Sequence, residues 1–125
     1  MYLSPDNSRP EGGLESDAPR LDVISVMGDG FVRLELHGEL DLTNVAALTR
    51  PLLTAELATP ALIVLDLCDV TLLDAAGLRV FLDAARRAEL GERRFAIARP
   101  DQETARVLRL TGLDESIDIL SQLPT

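Results

Sequence analysis

Apolar residues along the chain follow two periods. Leu21-Asp22-Val23-Ile24-Ser25-Val26 and Phe31-Val32-Arg33-Leu34-Glu35-Leu36-His37 read as strands, the second alternating cleanly, and Gly28-Asp29-Gly30 between them supplies a hairpin turn. Gly38-Glu39-Leu40-Asp41 closes the hairpin. Thr43 or Asn44 then caps a helix whose stripe, Val45, Leu48, Leu52 and Ala55, recurs at spacings of three and four. Pro51 has no N–H to give, so the helix bends there or a second short helix starts with Pro51 in its first turn.

Ala61-Leu62-Ile63-Val64-Leu65 is unbroken, as expected of a central strand covered by helices on both faces. The pattern ends that strand at Asp66 and puts Asp69 in a turn. After a shorter apolar stretch, Val70, Leu72 and Leu73, Asp74 stands directly ahead of Ala75-Ala76-Gly77-Leu78. Its carboxylate is placed to accept from the free N–H of Ala76 or Gly77, which makes it an N-cap. The helix it starts buries Leu78, Phe81, Leu82 and Ala85, turns Arg79, Asp83, Arg86 and Arg87 to water, and stops at Gly91. Gly77 is a poor helix former, so its use is to let another backbone or side chain approach the helix start, which points to docking.

Arg94-Phe95-Ala96-Ile97-Ala98 gives a further strand and Pro100 breaks it. Asp101 caps a third helix carrying Ala105, Val107 and Leu108 as far as Thr111-Gly112, and Ile117-Asp118-Ile119 gives a last edge strand. Alternation of strands and helices after residue 31 predicts an α/β domain: a small, largely parallel sheet with right-handed crossovers and one antiparallel hairpin strand at its side. Residues 1–20, rich in Pro, Gly and acidic side chains, read as a flexible tail ahead of a single domain.

Composition narrows the chemistry. The chain has 125 residues, enough for one core, and a formal charge of −9, which repels phosphate backbones and anionic membranes. With three Phe, one Tyr and no Trp, there is little from which to build a base-stacking platform. All twelve basic residues are Arg, so a phosphate-loop lysine and a Schiff-base lysine are both excluded. A single cysteine, Cys68, cannot form an internal disulfide, and no stretch has the length of a membrane span or the shape of a signal peptide. These features lead us to expect a cytoplasmic protein with no nucleic-acid partner and no direct membrane insertion.

Candidate reactive groups are few. Cys68 lacks an identifiable base, His37 being assigned to a distant strand end, and reads as a small buried residue. Asp66, Asp69 and Asp74 are the residues from which a magnesium site would be built, but a strand end, a turn and a cap are the better explanation of them. A metal-dependent hydrolase is disfavoured by the absence of Lys and the single His, so no catalysis and no cofactor are expected. The pairs Arg86-Arg87 and Arg93-Arg94 form either a basic patch or an ordinary solvated face. Leu42, Leu72 and Leu78 are candidate apolar anchors of an interface.

Gly38-Glu39-Leu40-Asp41 before a helix, a strand reaching Asp66-Leu67, and then Leu73-Asp74-Ala75-Ala76-Gly77-Leu78 resemble the STAS domain of bacterial anti-sigma factor antagonists, over about residues 21–122. The resemblance implies a mixed sheet of about five strands with flanking helices. It also implies binding to a serine-kinase anti-sigma factor, which frees a sigma factor and so regulates transcription. The hydroxyl residue phosphorylated in that family maps onto Ala76, and Ala75 has no hydroxyl either, so the usual switch is missing. The partner-contacting residues implied are Asp41, Asp74, Ala75, Ala76, Gly77 and Leu78, with Asp41 open between partner contact and a plain loop role. A second reading is a cytoplasmic STAS accessory protein of a lipid-transport ABC-type transporter, whose partner would be a transporter ATPase.

Overall fold

A computed structural model describes residues 20–124, so all of the expected tail except Arg20 lies outside the described residues. The elements are β1 (Leu21–Met27), β2 (Phe31–Leu40), α1 (Ala46–Leu57), β3 (Leu62–Leu73), α2 (Ala75–Leu90), β4 (Arg94–Ala98), α3 (Gln102–Leu110), a 3-10 turn (Leu113–Glu115) and β5 (Asp118–Leu120). They build one five-stranded sheet in the order β1-β2-β3-β4-β5, antiparallel only between β1 and β2. Each crossover advances by one strand, and right-handed crossovers of that kind put every helix on the same face.

That layer holds the main core. Leu34, Leu36, Ile63, Leu65, Leu67 and Ile97 from the strands meet Leu48 and Leu52 of α1, Phe81 and its alanine neighbours on α2, and Leu108 of α3. The opposite face carries a smaller cluster, Val64, Ala96 and Ala98, under Leu62, Leu120 and Leu123, with no helix in it. The expectation of helices on both faces of the central strand is therefore corrected. Its unbroken apolar run is explained by small neighbours on β4 and by the C-terminal segment that covers the second face.

Two further readings change. β3 does not end at Asp66: it runs to Leu73, and Asp69 lies opposite His37 inside the ladder. Register shifts at Glu35/His37 and Gly38/Glu39 let it continue, because each shift bends the pair and increases its twist. Gly38 has φ +122, and a Cβ there would sit 2.1 Å from the Arg20 carbonyl, so only glycine fits. Second, neither Thr43 nor Asn44 caps α1. Asn44 accepts from the Asp41 N–H at 2.9 Å and donates to the Glu39 carbonyl at 2.7 Å, and α1 starts uncapped after Val45. Pro51 lies within one continuous helix and leaves the Ala47 carbonyl without its usual donor. No helix among the described residues is long and apolar enough to cross a membrane.

On the second face Asp66, only 2 % exposed, is held by Arg99: Nε donates to Oδ1 at 3.2 Å and Nη2 to Oδ2 at 2.6 Å. Burial pushes the Asp66 carboxyl up, but the Arg99 hydrogen bonds, the Cys68 N–H and the nearby guanidinium charges outweigh it, so the group ends below its usual range. A lowered carboxyl contributes stability that is complete above the unfolded value of about 3.9 and disappears as pH falls through the lower folded value. Asp66→Asn is accordingly expected to unfold at lower temperature than the parent at pH 7. The gap should narrow below about pH 4. An equal gap in thermal melts across that range would refute the linkage.

Candidate functional site

The β2–α1 loop and the start of α2 are brought together by Asp74. Its Oδ1 accepts from Ala76 N at 2.9 Å and Gly77 N at 3.3 Å, as the sequence predicts for an N-cap. Its Oδ2 reaches across to accept from the Leu42 N–H at 3.3 Å, and its own N–H donates to the Leu40 carbonyl at 3.2 Å. One side chain thus ties the end of β2 to the first turn of α2. Asp41 is engaged locally: its Oδ1 accepts from Thr43 N at 2.9 Å and Thr43 Oγ1 at 2.6 Å. These bonds fix the 41–45 loop in one shape, so the surface is organised before any partner arrives.

Ala75 is exposed, and Asp41, Asp74, Ala76 and Leu78 are half-buried. Leu42 at 75 % and Leu72 at 50 % exposure flank them, which is unusual for leucines beside a packed sheet end. Gly77 is different. It is buried, and a Cβ on it would lie 2.5 Å from Leu73 Cδ1 and 2.8 Å from Leu40 Cδ2. The close approach that glycine permits is made by the protein's own leucines. Its role as a surface contact is therefore corrected to one of seating α2 against the ends of β2 and β3. Gly77→Val is expected to cost about 1–3 kcal/mol through overpacking. A denaturant midpoint unchanged from the parent would show that the leucines move aside freely.

Two shallow hollows border this surface. One, about 350 Å³, is lined by Thr71, Leu72 and Leu73 from β3 and by Asp101, Glu103, Thr104 and Val107 at the start of α3. The other, about 300 Å³, lies between Ala75, Leu78, Arg79 and Leu82 of α2 and Thr111 and Leu113. Sequence reasoning missed the α3 contribution. Asp101 reads locally as a cap, which it is, accepting from Thr104 N at 2.7 Å. Only the fold shows that this acidic helix start stands beside the apolar residues of β3.

The remaining candidate groups disperse. His37 Nδ1 lies 2.7 Å from Asp69 Oδ2 and Nε2 lies 3.7 Å from Glu35, so His37 is next to the 66–69 stretch rather than distant from it. The Asp69 hydrogen bond, helped by Glu35, raises the imidazole above its usual value. Cys68 is exposed, against the expectation of a buried residue, because the irregular end of β3 turns it outward. Although the residue is exposed, partial desolvation of its sulfur and the charge of Asp66 push the thiol up, away from the reactive thiolate. Asp66 is committed to Arg99, Asp69 to His37 and Asp74 to the cap; among the described residues no group of three His, Cys, Asp or Glu is placed to hold a metal ion. Arg87 makes a bidentate pair with Glu56, and Arg94 pairs with Asp118. Half of each basic doublet is thereby neutralised.

The STAS domain family profile matches residues 24–124. The chain is 30% identical over 96 residues to the anti-sigma-F factor antagonist RsfB of Mycobacterium tuberculosis, covering 76% of this chain and 77% of that one. Its fold is similar to the crystal structure of an anti-sigma factor antagonist from Mycobacterium paratuberculosis, with TM-score 0.76, 23% identity, and coverage of 83% and 88%. It is also similar to the antagonist SpoIIAA in its unphosphorylated form, with TM-score 0.65, 21% identity, and coverage of 84% and 90%. With a family profile matched over residues 24–124 and that identity to RsfB, the chain belongs to the STAS domain family of anti-sigma factor antagonists.

Proposed function

We propose that this protein binds an anti-sigma factor through the surface formed by Asp41, Leu42, Leu72, Asp74, Ala75, Ala76 and Leu78, and by doing so frees a sigma factor for transcription. The observation that carries the reading is the Asp74 clamp. It holds an apolar, hydroxyl-free helix start and the backbone of exposed Leu42 in a fixed shape, beside exposed Leu72 of the β2–β3 ladder, at low entropic cost to a partner. Around this apolar centre stand the carboxylates of Asp41, Asp74, Asp101 and Glu103, so the complementary surface is basic at its rim.

The partner in this proposal carries a serine-kinase, ATP-binding domain, and the meeting takes place in the cytoplasm. Because Ala75 and Ala76 offer no hydroxyl, the docking surface stays competent whatever the kinase does, and control falls to the amounts of the two proteins. The protein supplies shape and charge, and no bond is made or broken on it. Co-purification from the native host tests the pairing: an anti-sigma factor recovered in stoichiometric amount supports it, and a transporter ATPase recovered instead overturns it. Incubation with the cognate kinase and ATP, followed by intact-mass measurement, should leave the mass unchanged. Stoichiometric phosphate on a docking-face residue such as Thr71, which is exposed, would defeat the constitutive reading.

A further inference from the structure

The two edges of the sheet are unlike. β5 is three residues long and is followed by Pro124, features that blunt an edge. β1 is seven residues long, pairs with β2 without a register shift, and contains neither Pro nor Lys. At its two ends Gly28 N–H donates to the Phe31 carbonyl and Glu39 N–H to the Arg20 carbonyl, both at 2.9 Å. The backbone groups of the even-numbered residues therefore face β2, and those of Leu21, Val23, Ser25 and Met27 face outward. Among the described residues no backbone group pairs with them.

We infer that β1 pairs antiparallel with β1 of a second copy, in the register that sets Ile24 against the partner's Ile24 on a two-fold axis. This register follows from the edge itself. It puts Leu21 opposite the partner's Met27 and Val23 opposite the partner's Ser25, so every outward N–H and C=O of the four residues meets an acceptor or donor. Charges agree with it. Asp22 faces the partner's Val26 rather than a second Asp22, and exposed Arg20 arrives at Gly28 beside exposed Asp29 of the partner, twice by symmetry. Ile24 at 50 % and Met27 at 69 % exposure lose water-facing apolar surface at the junction. The edge shares no residue with the Asp74 surface, so the inference does not rest on the proposed function.

A junction this short gives a weak, concentration-dependent dimer. Each copy carries −9, so salt should strengthen it by screening the repulsion. Sedimentation of the full chain is expected to show monomer passing to dimer as concentration rises toward millimolar. Ser25→Pro deletes an outward N–H without touching the β2 ladder and should raise the dissociation constant about tenfold or more, since the bond is lost twice. Ile24→Lys, which sets two ammonium groups on the axis, should act likewise and guards against a folding defect in the proline variant. In a Cys68→Ser background, Ile24→Cys should form a disulfide-linked dimer on mild oxidation. The Cα atoms of such a non-hydrogen-bonded pair lie about 4.5 Å apart, within disulfide range. Val26→Cys should not. A chain that stays monomeric at millimolar concentration in high salt overturns the inference, as does a dimer indifferent to both substitutions and not crosslinked at position 24.

Discussion

Ala76→Glu is expected to weaken binding to the anti-sigma factor by roughly a hundredfold or more, with no loss of thermal stability in the free protein. Like charges forced together in an interface cost several kcal/mol, and each 1.4 kcal/mol is about tenfold in affinity. Position 76 is half-buried in the first turn of α2, within the field of the Asp74 carboxylate, whose Oδ1 accepts from its N–H at 2.9 Å. A further carboxylate there has to be desolvated against that field when a partner docks. In the free protein the same charge lies at a helix N-terminus, where it is favourable by about 0.3–1 kcal/mol, so a loss of affinity cannot be assigned to unfolding. Ala76→Ser adds one hydroxyl and should retain binding. If the partner is a kinase, this variant should also gain a phosphate and then behave as Ala76→Glu does. Equal calorimetric affinities for Ala76→Glu and the parent would place the contact surface elsewhere.

Phe81→Ala should lower stability by about 3–5 kcal/mol, the range for removing a fully buried aromatic side chain. Phe81 has no exposed surface and packs where α2 crosses the sheet. Its neighbours on the helix, Ala84, Ala85 and Ala88, are too small to refill the space, so the cavity should persist rather than collapse. For a domain of this size the total is of order 5–15 kcal/mol, so about a fifth of it or more is at stake. The effect should extend to function, because the same helix presents Ala75 and Ala76 one and a half turns away. Phe81→Leu, which keeps most of the volume, should cost distinctly less in both respects. A change below about 1 kcal/mol in denaturant unfolding would mean that the helix is anchored chiefly through Leu78 and Leu82.

Much of this was written in local sequence. The caps at Asp74 and Asp101, the stop at Gly91, the hairpin over Gly28–Gly30 and the buried stripe of α1 depend on neighbours within a few residues, and each lies where side-chain chemistry requires it. The resemblance to the STAS domain likewise rested on short contiguous motifs. Residues whose surroundings come from distant segments were legible only in part. Asp66 looked like a strand end and is a buried ion-pair partner, because Arg99 arrives from the bend just after β4. Cys68 looked buried and is exposed, because the β2–β3 register slips beside it. Gly77 was rightly seen as a place of close approach, but the approaching atoms belong to Leu40 and Leu73.

By itself, then, the sequence determined the identity and order of the elements, since period, caps and turn residues act over a few positions and leave their mark on the chain. Tertiary structure decided which face each strand residue shows, how far β3 runs, and which leucines remain in water beside the Asp74 clamp. Those outcomes depend on register and on crossovers between segments tens of residues apart. No local pattern records them, because the free energy that sets them appears only when the distant surfaces meet.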